Sequence, residues 1–345
     1  MPNDVLTAAI DLLADGRDLT QEQAGDVLAE IMAGNGSVPQ IAGFLIALRT
    51  KGETVDEIAG LAQTMRAMAT PVPTSRHDLL DTAGTGGGRH TFNVSTTAAL
   101  VAAAAGAAVA KHGNRSATRA SGSADVLEAL GVRIDLTPAA VADCIDRVGF
   151  GFMFAPAHHA ATRYVIPARA ELAVRTIFNF LGPLTNPAGA RRQVVGVSDP
   201  RYLEALAGAL ARLGCDRALV VSSADGLDEM STSAPTHVVE VNGDELRRYD
   251  VSAADVGLPE SAPEAISGGD PTANAAVTRA VFGGASGPDT DLVLLNAGAA
   301  IYAAGRADDL KAGVELARET IASGAAARTL DEYIRVTGEL APITA

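Results

Sequence analysis

Short apolar segments alternate with helical segments from about residue 79 onward, and this alternation limits the possible folds of the chain. Helical patterns at 95–107, 125–130 and 138–148 lie between apolar segments. Strands separated by helices are typical of a largely parallel sheet with helices on its faces. We therefore predict an α/β domain over residues 74–345. The predicted strands lie at 79–82, 108–110, 150–154, 194–197, 218–222 and 292–295.

The first 70 residues have a different pattern, because their apolar residues recur only at helical spacing, as Val27, Leu28 and Ile31 do. Thr20 with Glu22 and Gln23 predicts a capping box at one helix start. Prolines at 71 and 73 mark a linker. Residues 1–70 are therefore predicted to be a small helical domain. Later in the chain, an Asn-Gly pair at 242–243 between alternating segments predicts a hairpin at an antiparallel edge of the sheet.

The charge of the chain is strongly acidic, with 27 basic and 41 acidic residues and a net charge of -14. Nucleic acids and anionic membranes are disfavoured as partners, because both are bound through Lys and Arg. Two segments nevertheless depart from this balance: residues 82–124 contain no acid and carry +4, and residues 147–198 carry +5. An acidic protein with two cationic, glycine-containing segments predicts a site for a small anion.

The chain shows no targeting or membrane segment. Acidic residues at 4 and 11 interrupt the apolar N-terminal stretch, which a secretory signal would not tolerate. The longest apolar run, residues 98–110, falls short of the roughly 20 residues that a membrane helix needs. We expect a cytoplasmic protein without membrane contacts.

A glycine-rich loop at 84–88 follows the first predicted strand and precedes a helix. Glycines let backbone N–H groups approach an anion, and the helix N-terminus attracts negative charge. Asn93, Ser95 and Thr96 add polar donors there. The loop lacks the Gly-Lys-Ser/Thr of a P-loop, and Arg89 stands where a dinucleotide-binding loop has its third glycine. The alternative is a simple turn with a helix cap, but the acid-free surroundings favour phosphate binding.

Residues 111–116 form a second polar loop directly after a predicted strand. Lys111 and Arg115 suit a phosphate or diphosphate, and Asn114 suits a neutral polar group. Ligands of parallel sheets lie at the carboxyl ends of strands, where this loop is expected. The alternative is a surface loop with two solvated cations.

Further polar residues complete the set of candidates. Asp225, Asp228 and Glu229 follow another apolar strand, and adjacent carboxylates suit Mg²⁺, although an acid pair at a helix start is the alternative. Arginines at 163, 169 and 175 lie among apolar residues and suit an anion, whereas the histidines at 158 and 159 lack a third zinc ligand at the usual spacing.

The glycine-rich loop, the cationic loop and the carboxylates together indicate a reaction class. They favour transfer of a group from a diphosphate-bearing donor, with Mg²⁺ bound to the leaving group.

These segments, together with residues 121–131 and 175–187, resemble the anthranilate phosphoribosyltransferase family over about residues 19–327. The resemblance implies transfer of the 5-phosphoribosyl group from 5-phosphoribosyl 1-diphosphate to the amine of anthranilate, the Mg²⁺-dependent second step of tryptophan synthesis from chorismate. It also implies a small helical domain joined by residues 165–190, a larger α/β domain like those of nucleoside phosphorylases, and a homodimer formed through the helical domain.

The resemblance also assigns roles to individual residues. Those implied in catalysis are Lys111, Asn114 and Arg169. Those implied in binding the donor are Gly84, Gly87, Gly88, Thr91, Asn93, Val94, Ser95, Thr96, Lys111, His112, Gly113, Asn114, Arg115, Ser116, Ala117, Thr118, Arg119 and Ser123. Those implied in binding anthranilate are Gly84, Asn114, Arg169, His112, Pro156 and His159, and those implied in holding Mg²⁺ are Ser95, Asp228 and Glu229.

Two positions depart from the family pattern. The family usually has Gly-Gly-Asp-Gly in the first loop, whereas residues 87–90 are Gly-Gly-Arg-His. The family usually continues the second loop with small hydroxyl residues and a Lys, whereas residues 118–120 are Thr-Arg-Ala. Arg89 and Arg119 are therefore candidates to bind phosphate in place of backbone contacts.

Two other functions are compatible with the same architecture. A pyrimidine-nucleoside phosphorylase would use inorganic phosphate and would not need the Asp228–Glu229 pair. A non-catalytic relative that binds nucleic acid would lose that pair and gain a basic surface, against the net charge of -14. Both are disfavoured.

Overall fold

The computed structural model describes residues 1–116 and 120–341. Its helices are α1 (Asp4–Ala14), α2 (Gln21–Met32), α3 (Val38–Lys51), α4 (Val55–Ala67), α5 (Val94–Ala104), α6 (Ser123–Leu130), α7 (Pro138–Val148), α8 (Ala155–His158), α9 (Ile166–Leu172), α10 (Phe178–Leu184), α11 (Leu203–Arg212), α12 (Pro271–Phe282), α13 (Pro288–Ala303), α14 (Leu310–Ala322) and α15 (Ala325–Leu340). Its strands are β1 (Leu79–Gly84), β2 (Ala108–Gly113), β3 (Phe150–Phe154), β4 (Arg192–Gly196), β5 (Arg217–Ser223), β6 (Thr236–Asn242) and β7 (Glu245–Val251).

Helices α1 to α4 form the helical unit predicted for the N-terminal residues. Each begins at a polar residue whose side chain accepts a backbone N–H of the first turn. The capping box at Thr20 is confirmed, with Gln23 as its second member. Buried residues of α9 and α10, among them Ala168 and Leu181, share one apolar core with Leu28 and Phe44 of these helices.

The central sheet has the strand order β3-β2-β1-β4-β5-β6-β7. Its first five strands are parallel. The predicted antiparallel hairpin is confirmed as β6 and β7, although its turn residues are Gly243 and Asp244, one position later than expected. From β1 the chain builds the sheet first on one side, through β2 and β3, and later on the other, through β4. Loops leaving β1 and β4 therefore diverge and open a crevice at their carboxyl ends.

The two faces of the sheet pack into different apolar cores. Side chains alternate between them along a strand: Val194 belongs to the core shared with α5 and α13, whereas Val195 belongs to the core shared with the N-terminal helices. Val221 and Val220 divide in the same way on β5. Because one core extends into the helical unit, that unit is held against the α/β domain near the crevice.

The strand predicted at 292–295 is wrong, because these residues lie in the middle of α13. All four are at most 2% exposed, since α13 packs against α5, α14 and strands of the sheet. A helix that is buried all round has no polar face, so a short apolar run within it resembles a buried strand.

Despite such apolar segments, the described residues include no helix with the length and apolarity needed to cross a membrane.

Candidate active site

A cavity of about 790 Å³ lies at the carboxyl ends of β1, β2 and β4, covered by residues 155–183. This volume is within the range of about 300–1,000 Å³ typical of small-molecule sites. The predicted site residues that line it are Gly84, Gly87, Gly88, Thr91, Asn93, Ser95, Lys111, His112, Gly113, Asn114, Arg115, Ser116, Ser123, Pro156, His159, Arg169, Asp228 and Glu229. Val94 and Thr96 are instead buried in the first turn of α5. The remaining predictions, Ala117, Thr118 and Arg119, lie outside the described residues.

The glycine loop after β1 is tightly packed, which explains its composition. A Cβ atom at Gly88 would lie 2.6 Å from Oδ1 of Asp228, and one at Gly84 would lie 2.9 Å from Oδ2 of the same carboxylate. Gly87 has φ +86°, and a Cβ there would overlap the guanidinium of Arg175. The loop therefore presents backbone groups to the cavity and packs closely against Asp228.

Arg175 connects this loop to the helical side of the cavity. Its Nη1 donates to the carbonyl of Gly86 at 2.6 Å, and its Nη2 donates to the carbonyl of Thr85 at 3.2 Å. The hydroxyl of Ser198 donates to the same Gly86 carbonyl at 2.8 Å. The sequence pointed to anion recognition for this arginine, whereas the structure shows its guanidinium holding the loop carbonyls.

Helix α5 begins beside the glycine loop and directs its N-terminus at the cavity. Its N-cap, Asn93, makes no side-chain capping bond. The Oδ1 of Asn93 instead accepts from the hydroxyl of Ser121 at 2.8 Å and from Nδ2 of Asn274 at 2.9 Å. The partial positive charge of the helix N-terminus and the hydroxyl of Ser95 therefore face the cavity, an arrangement that favours an anion.

Lys111 is 1% exposed and lies between the ends of β1 and α5. Its ammonium donates to the carbonyl of Thr82, and it lies 3.5 Å from Oγ of Ser95. Burial lowers the pKa of Lys111 to about 8, although the carboxylates of Asp81 and Glu229 oppose this shift. The positive charge of Lys111 therefore lies where the end of β1 and the N-terminus of α5 meet.

Asp81 is a buried residue of this site that the sequence analysis did not select. Its Oδ1 accepts the backbone N–H of His112 at 3.1 Å, and its Oδ2 accepts Nδ2 of Asn186 at 2.7 Å. Burial raises the pKa of Asp81 to about 6, opposed chiefly by the charge of Lys111. An acid in the middle of an apolar strand was the one sign of this role in the sequence, because a buried carboxylate requires a partner.

Two arginines that suggested phosphate binding are engaged elsewhere. Arg115 forms ion pairs with Asp125 at 2.8 Å and with Glu128. Arg89 forms an ion pair with Asp225 at 3.0 Å. Both guanidiniums are paired with carboxylates in this structure, and phosphate binding by either arginine stays a prediction. Arg119 lies outside the described residues.

Of the residues predicted to bind anthranilate, Pro156, His159 and Arg169 line the cavity from the segment of α8 and α9. Gly84 and Asn114 line it from the ends of β1 and β2. Arg169 lies with its guanidinium 5.6 Å from the ring centre of Phe178, and burial lowers the pKa of Arg169. Asn114 is exposed, and its Oδ1 accepts the backbone N–H of Arg115 at 2.7 Å. Pro156 stands in the short helix α8. A cationic and aromatic wall of this kind suits a planar carboxylate.

Two imidazoles, His112 and His159, stand in this wall with ring centres 5.1 Å apart. Burial lowers the pKa of His112 to about 3 and that of His159 to about 4, so both are neutral at pH 7. Nδ1 of His112 lies 3.2 Å from the carbonyl of Gly182. A carbonyl only accepts, so Nδ1 carries the proton and Nε2 is left as an acceptor.

Buried neutral histidines make the stability of the fold depend on pH. The unfolded chain takes up a proton at each histidine as the pH falls through about 6.5, whereas folded His112 does not until about pH 3. The free energy of unfolding is therefore unaffected by these histidines above about pH 6.5 and falls below it, by about 2 kcal/mol per such histidine at pH 5. His112→Asn keeps a donor for the carbonyl of Gly182. Between pH 7 and pH 5, we expect the free energy of unfolding of this variant, measured with urea, to fall by about 2 kcal/mol less than that of wild type. The exposed control His77→Asn should follow wild type; an unchanged pH dependence of His112→Asn would contradict the assignment.

The carboxylates of Asp228 and Glu229 line the cavity between the glycine loop and β5. Asp228 is 5% exposed, and the end of β4 packs so closely that a Cβ at Gly196 would overlap its carbonyl. No three His, Cys, Asp or Glu side chains converge on a metal-sized site within residues 1–116 and 120–341. Mg²⁺ commonly uses one or two carboxylates together with substrate phosphates. The donor set therefore fits a Mg²⁺ ion that a phosphorylated substrate helps to bind.

Comparison with known proteins shows the family to which the chain belongs. Residues 76–327 match the family model of the glycosyl transferase family α/β domain, and residues 7–69 match the helical bundle domain of the same family. The chain is 51% identical to the anthranilate phosphoribosyltransferase of Symbiobacterium thermophilum, over 97% of this chain and 98% of that protein. The chain belongs to the anthranilate phosphoribosyltransferase family. The resemblance inferred from the motifs is thereby confirmed.

Solved structures of this family have the same fold. The Thermus thermophilus enzyme superposes with a TM-score of 0.91 at 48% identity, over 96% of this chain and 99% of that one. The Saccharomyces cerevisiae enzyme in complex with PRPP and Mg has a TM-score of 0.88 at 27% identity, over 97% and 98%. The yeast enzyme was also solved with 4-fluoroanthranilate, with a TM-score of 0.87, 26% identity and the same coverage. The predicted fold class, a small helical domain beside a larger α/β domain with a mostly parallel sheet, is confirmed.

Proposed function

We propose that this chain transfers the 5-phosphoribosyl group of 5-phosphoribosyl 1-diphosphate to the amine of anthranilate. The products are N-(5-phosphoribosyl)anthranilate and pyrophosphate, in the second step of tryptophan synthesis from chorismate. One observation carries the proposal: a single cavity joins an anion-binding loop, a buried lysine and a carboxylate pair to a cationic, aromatic wall. The yeast relative was solved with PRPP and Mg and with 4-fluoroanthranilate, ligands of these two kinds.

The donor is held, in this proposal, by the backbone of residues 84–88 and by the N-terminus of α5. Both attract phosphate oxygens because their N–H groups and the helix dipole present positive charge. Lys111 adds a full charge beside Ser95. A fixed cation in a buried site stabilises negative charge that develops on a leaving diphosphate more effectively than a solvated one does.

The acceptor is held at the opposite wall. Arg169 pairs with the carboxylate of anthranilate, and Asn114 contacts its amine or carboxylate from the loop after β2. His112 is neutral and offers Nε2 as an acceptor, so it suits the amine N–H of anthranilate rather than the carboxylate. This arrangement points the nitrogen lone pair toward the donor.

The chemical step is a displacement at C1 of the ribose. The amine nitrogen forms a bond to C1, the C1–O bond to the diphosphate breaks with its electron pair, and the nitrogen releases one proton. The amine is already nucleophilic, so orienting it near C1 replaces the need for a strong base. Lys111 stabilises the charge on the departing oxygen.

We propose that Asp228 and Glu229, with the hydroxyl of Ser95, hold Mg²⁺. All three line the cavity, and hard oxygen ligands suit this ion. When bound, Mg²⁺ supplies positive charge to the diphosphate oxygens. The role of the two carboxylates would be to hold that charge beside the glycine loop, against which Asp228 packs.

Arg169 provides a test of the acceptor site. We expect Arg169→Ala to raise KM for anthranilate by about 10- to 100-fold, because a charge-assisted hydrogen bond contributes about 1.5–3 kcal/mol. KM for the donor should change by less than about twofold. Arg163→Ala, at an exposed arginine of the neighbouring turn, is the matched control. Equal effects on the two KM values would exclude a specific role in anthranilate binding.

The place of the reaction in metabolism is tested by complementation. We expect expression of this chain to restore growth without tryptophan in a bacterial strain that lacks its own enzyme for this step. The Asp228→Ala/Glu229→Ala variant should fail to do so. Growth supported equally by this variant, or no growth with a well-expressed wild type, would contradict the proposal.

We further propose a cytoplasmic homodimer formed through the helical domain. Val5 on α1 and Ile46 on α3 are large apolar residues that are 40% and 36% exposed. Association through these helices would cover them. Sedimentation of the 35.1 kDa chain should therefore give about 70 kDa, and Ile46→Glu should shift it toward the monomer. A monomeric wild type would contradict this.

A further inference from the structure

The side chain of Arg89 joins two loops of the candidate site. Its Nη2 pairs with Oδ2 of Asp225 at 3.0 Å, and its Nη1 donates to the carbonyl of Pro263 at 2.6 Å. Its backbone N–H donates to the carbonyl of Gly226 at 2.8 Å. The side chains of Arg89 and Asp225 are only 23% and 11% exposed. The end of the glycine loop is thus attached to the 225–229 loop by both main chain and side chain.

Asp225 is itself firmly held within its loop. Its Oδ2 also accepts from the hydroxyl of Ser231 at 2.8 Å, and its Oδ1 accepts the backbone N–H of Leu227 at 3.3 Å. A Cβ at Gly88 would lie 2.8 Å from the carbonyl of Gly226, so the two loops are in close backbone contact next to this pair. A shift of Arg89 would therefore be transmitted to the loop that carries Asp228 and Glu229.

The direction of the Arg89 side chain separates it from the donor. Residues 84–88 and 90–93 line the cavity, whereas Arg89 is not among the lining residues in the described part of the chain. Its guanidinium points toward Asp225 and Pro263 instead. Its charge also offsets one of three acids within five residues, which otherwise repel one another.

We propose that Arg89 and Asp225 are positioning residues. Their ion pair holds the 84–88 loop against the 225–229 loop, and so fixes Asp228 and Glu229 relative to the loop N–H groups before Mg²⁺ and the donor bind. This inference rests on the proposed function. Partners of metal-binding side chains commonly affect metal affinity or activity by about 10- to 100-fold.

The test compares Arg89→Gln, Arg89→Lys, Asp225→Asn and the double variant Arg89→Gln/Asp225→Asn with wild type. Arg76→Gln is the matched control, because Arg76 forms a similar half-buried pair with Asp78 at 2.9 Å in the same domain. Hydrogen exchange of residues 84–92 and 223–230 is measured on the ligand-free chain. Calorimetry with Mg²⁺ and 5-phosphoribosyl 1-diphosphate gives donor affinity, and steady-state rates give KM for each substrate.

We expect Arg89→Gln to speed exchange in both loops and to weaken donor binding about tenfold, with KM for anthranilate within about twofold. Arg89→Lys should recover part of the loss, and the double variant should lose less than the product of the single effects. Arg76→Gln should leave the loops and donor affinity unchanged.

Three results would overturn the inference. Donor affinity that falls with unchanged exchange would make Arg89 a direct donor ligand. An equal rise in both KM values together with a lower Tm would show that the pair only stabilises the fold. Wild-type behaviour of Arg89→Gln would leave it without a role. If the proposed function itself is wrong, the wild-type protein will not transfer the phosphoribosyl group to anthranilate. The hydrogen-exchange experiment needs no substrate, so it tests the role of the ion pair separately.

Discussion

Replacing Asp228 and Glu229 together with Ala should reduce Mg²⁺-dependent turnover by about a thousandfold or more. A bound Mg²⁺ contributes several kcal/mol of charge stabilisation, and each 1.36 kcal/mol changes the rate about tenfold. The two carboxylates lie in the cavity beside the glycine loop, where no third acidic, histidine or cysteine side chain among the described residues joins them. Initial rates measured over a range of Mg²⁺ concentrations test this expectation.

The control for this variant removes two acids outside the cavity. Glu260→Gln/Glu264→Gln changes the net charge by the same amount at two exposed loop positions. It should keep wild-type rates, since exposed charges in water interact weakly over distance. Turnover that survives in Asp228→Ala/Glu229→Ala, with the same Mg²⁺ dependence as wild type, would refute the metal assignment.

Replacing Lys111 with Met should reduce transfer by about a hundredfold or more, because one preorganised donor at developing charge is worth about that much. The same change should also lower the free energy of unfolding, because the charge of Lys111 is the largest influence that opposes the effect of burial on the Asp81 carboxylate. Rates at saturating substrate and urea unfolding measure the two effects separately. The exposed Lys311→Met is the matched control.

A second substitution separates the two roles of Lys111. Asp81→Asn alone costs stability, because its amide has one acceptor oxygen where His112 and Asn186 both donate. In this Asp81→Asn background, Lys111→Met should cost less free energy of unfolding than it does in wild type, while activity stays low. Restored activity in the double variant would show that Lys111 acts only through folding, and an equal cost of Lys111→Met in both backgrounds would show that the two residues are not coupled.

Local rules account for much of the agreement between sequence and structure. Thr137 followed by Pro138 starts α7, because Thr caps and Pro fits the first turn. Gly131 ends α6 with φ +99°, a conformation that favours glycine. The strands that carry Gly84 and Lys111 were found because a short apolar run before a polar loop is typical of a parallel strand. The loops at strand ends then follow from topology.

The errors arise where partners distant in sequence decide the outcome. Residues 292–295 were mistaken for a strand because α5, α14 and the sheet together bury this part of α13. The ion pair of Arg89 with Asp225, which lies 136 positions away in the chain, was likewise not predicted. Asp81 is held in part by Asn186, which lies 105 residues later. Spacing along the chain carries no information on such contacts.

The most direct test of the account follows anthranilate fluorescence with the purified chain, 5-phosphoribosyl 1-diphosphate and Mg²⁺. A parallel reaction contains thymidine and inorganic phosphate. The account predicts loss of fluorescence only when donor and Mg²⁺ are both present, with one pyrophosphate released per anthranilate consumed, and no phosphorolysis of thymidine. Constant anthranilate fluorescence together with thymidine phosphorolysis would contradict it.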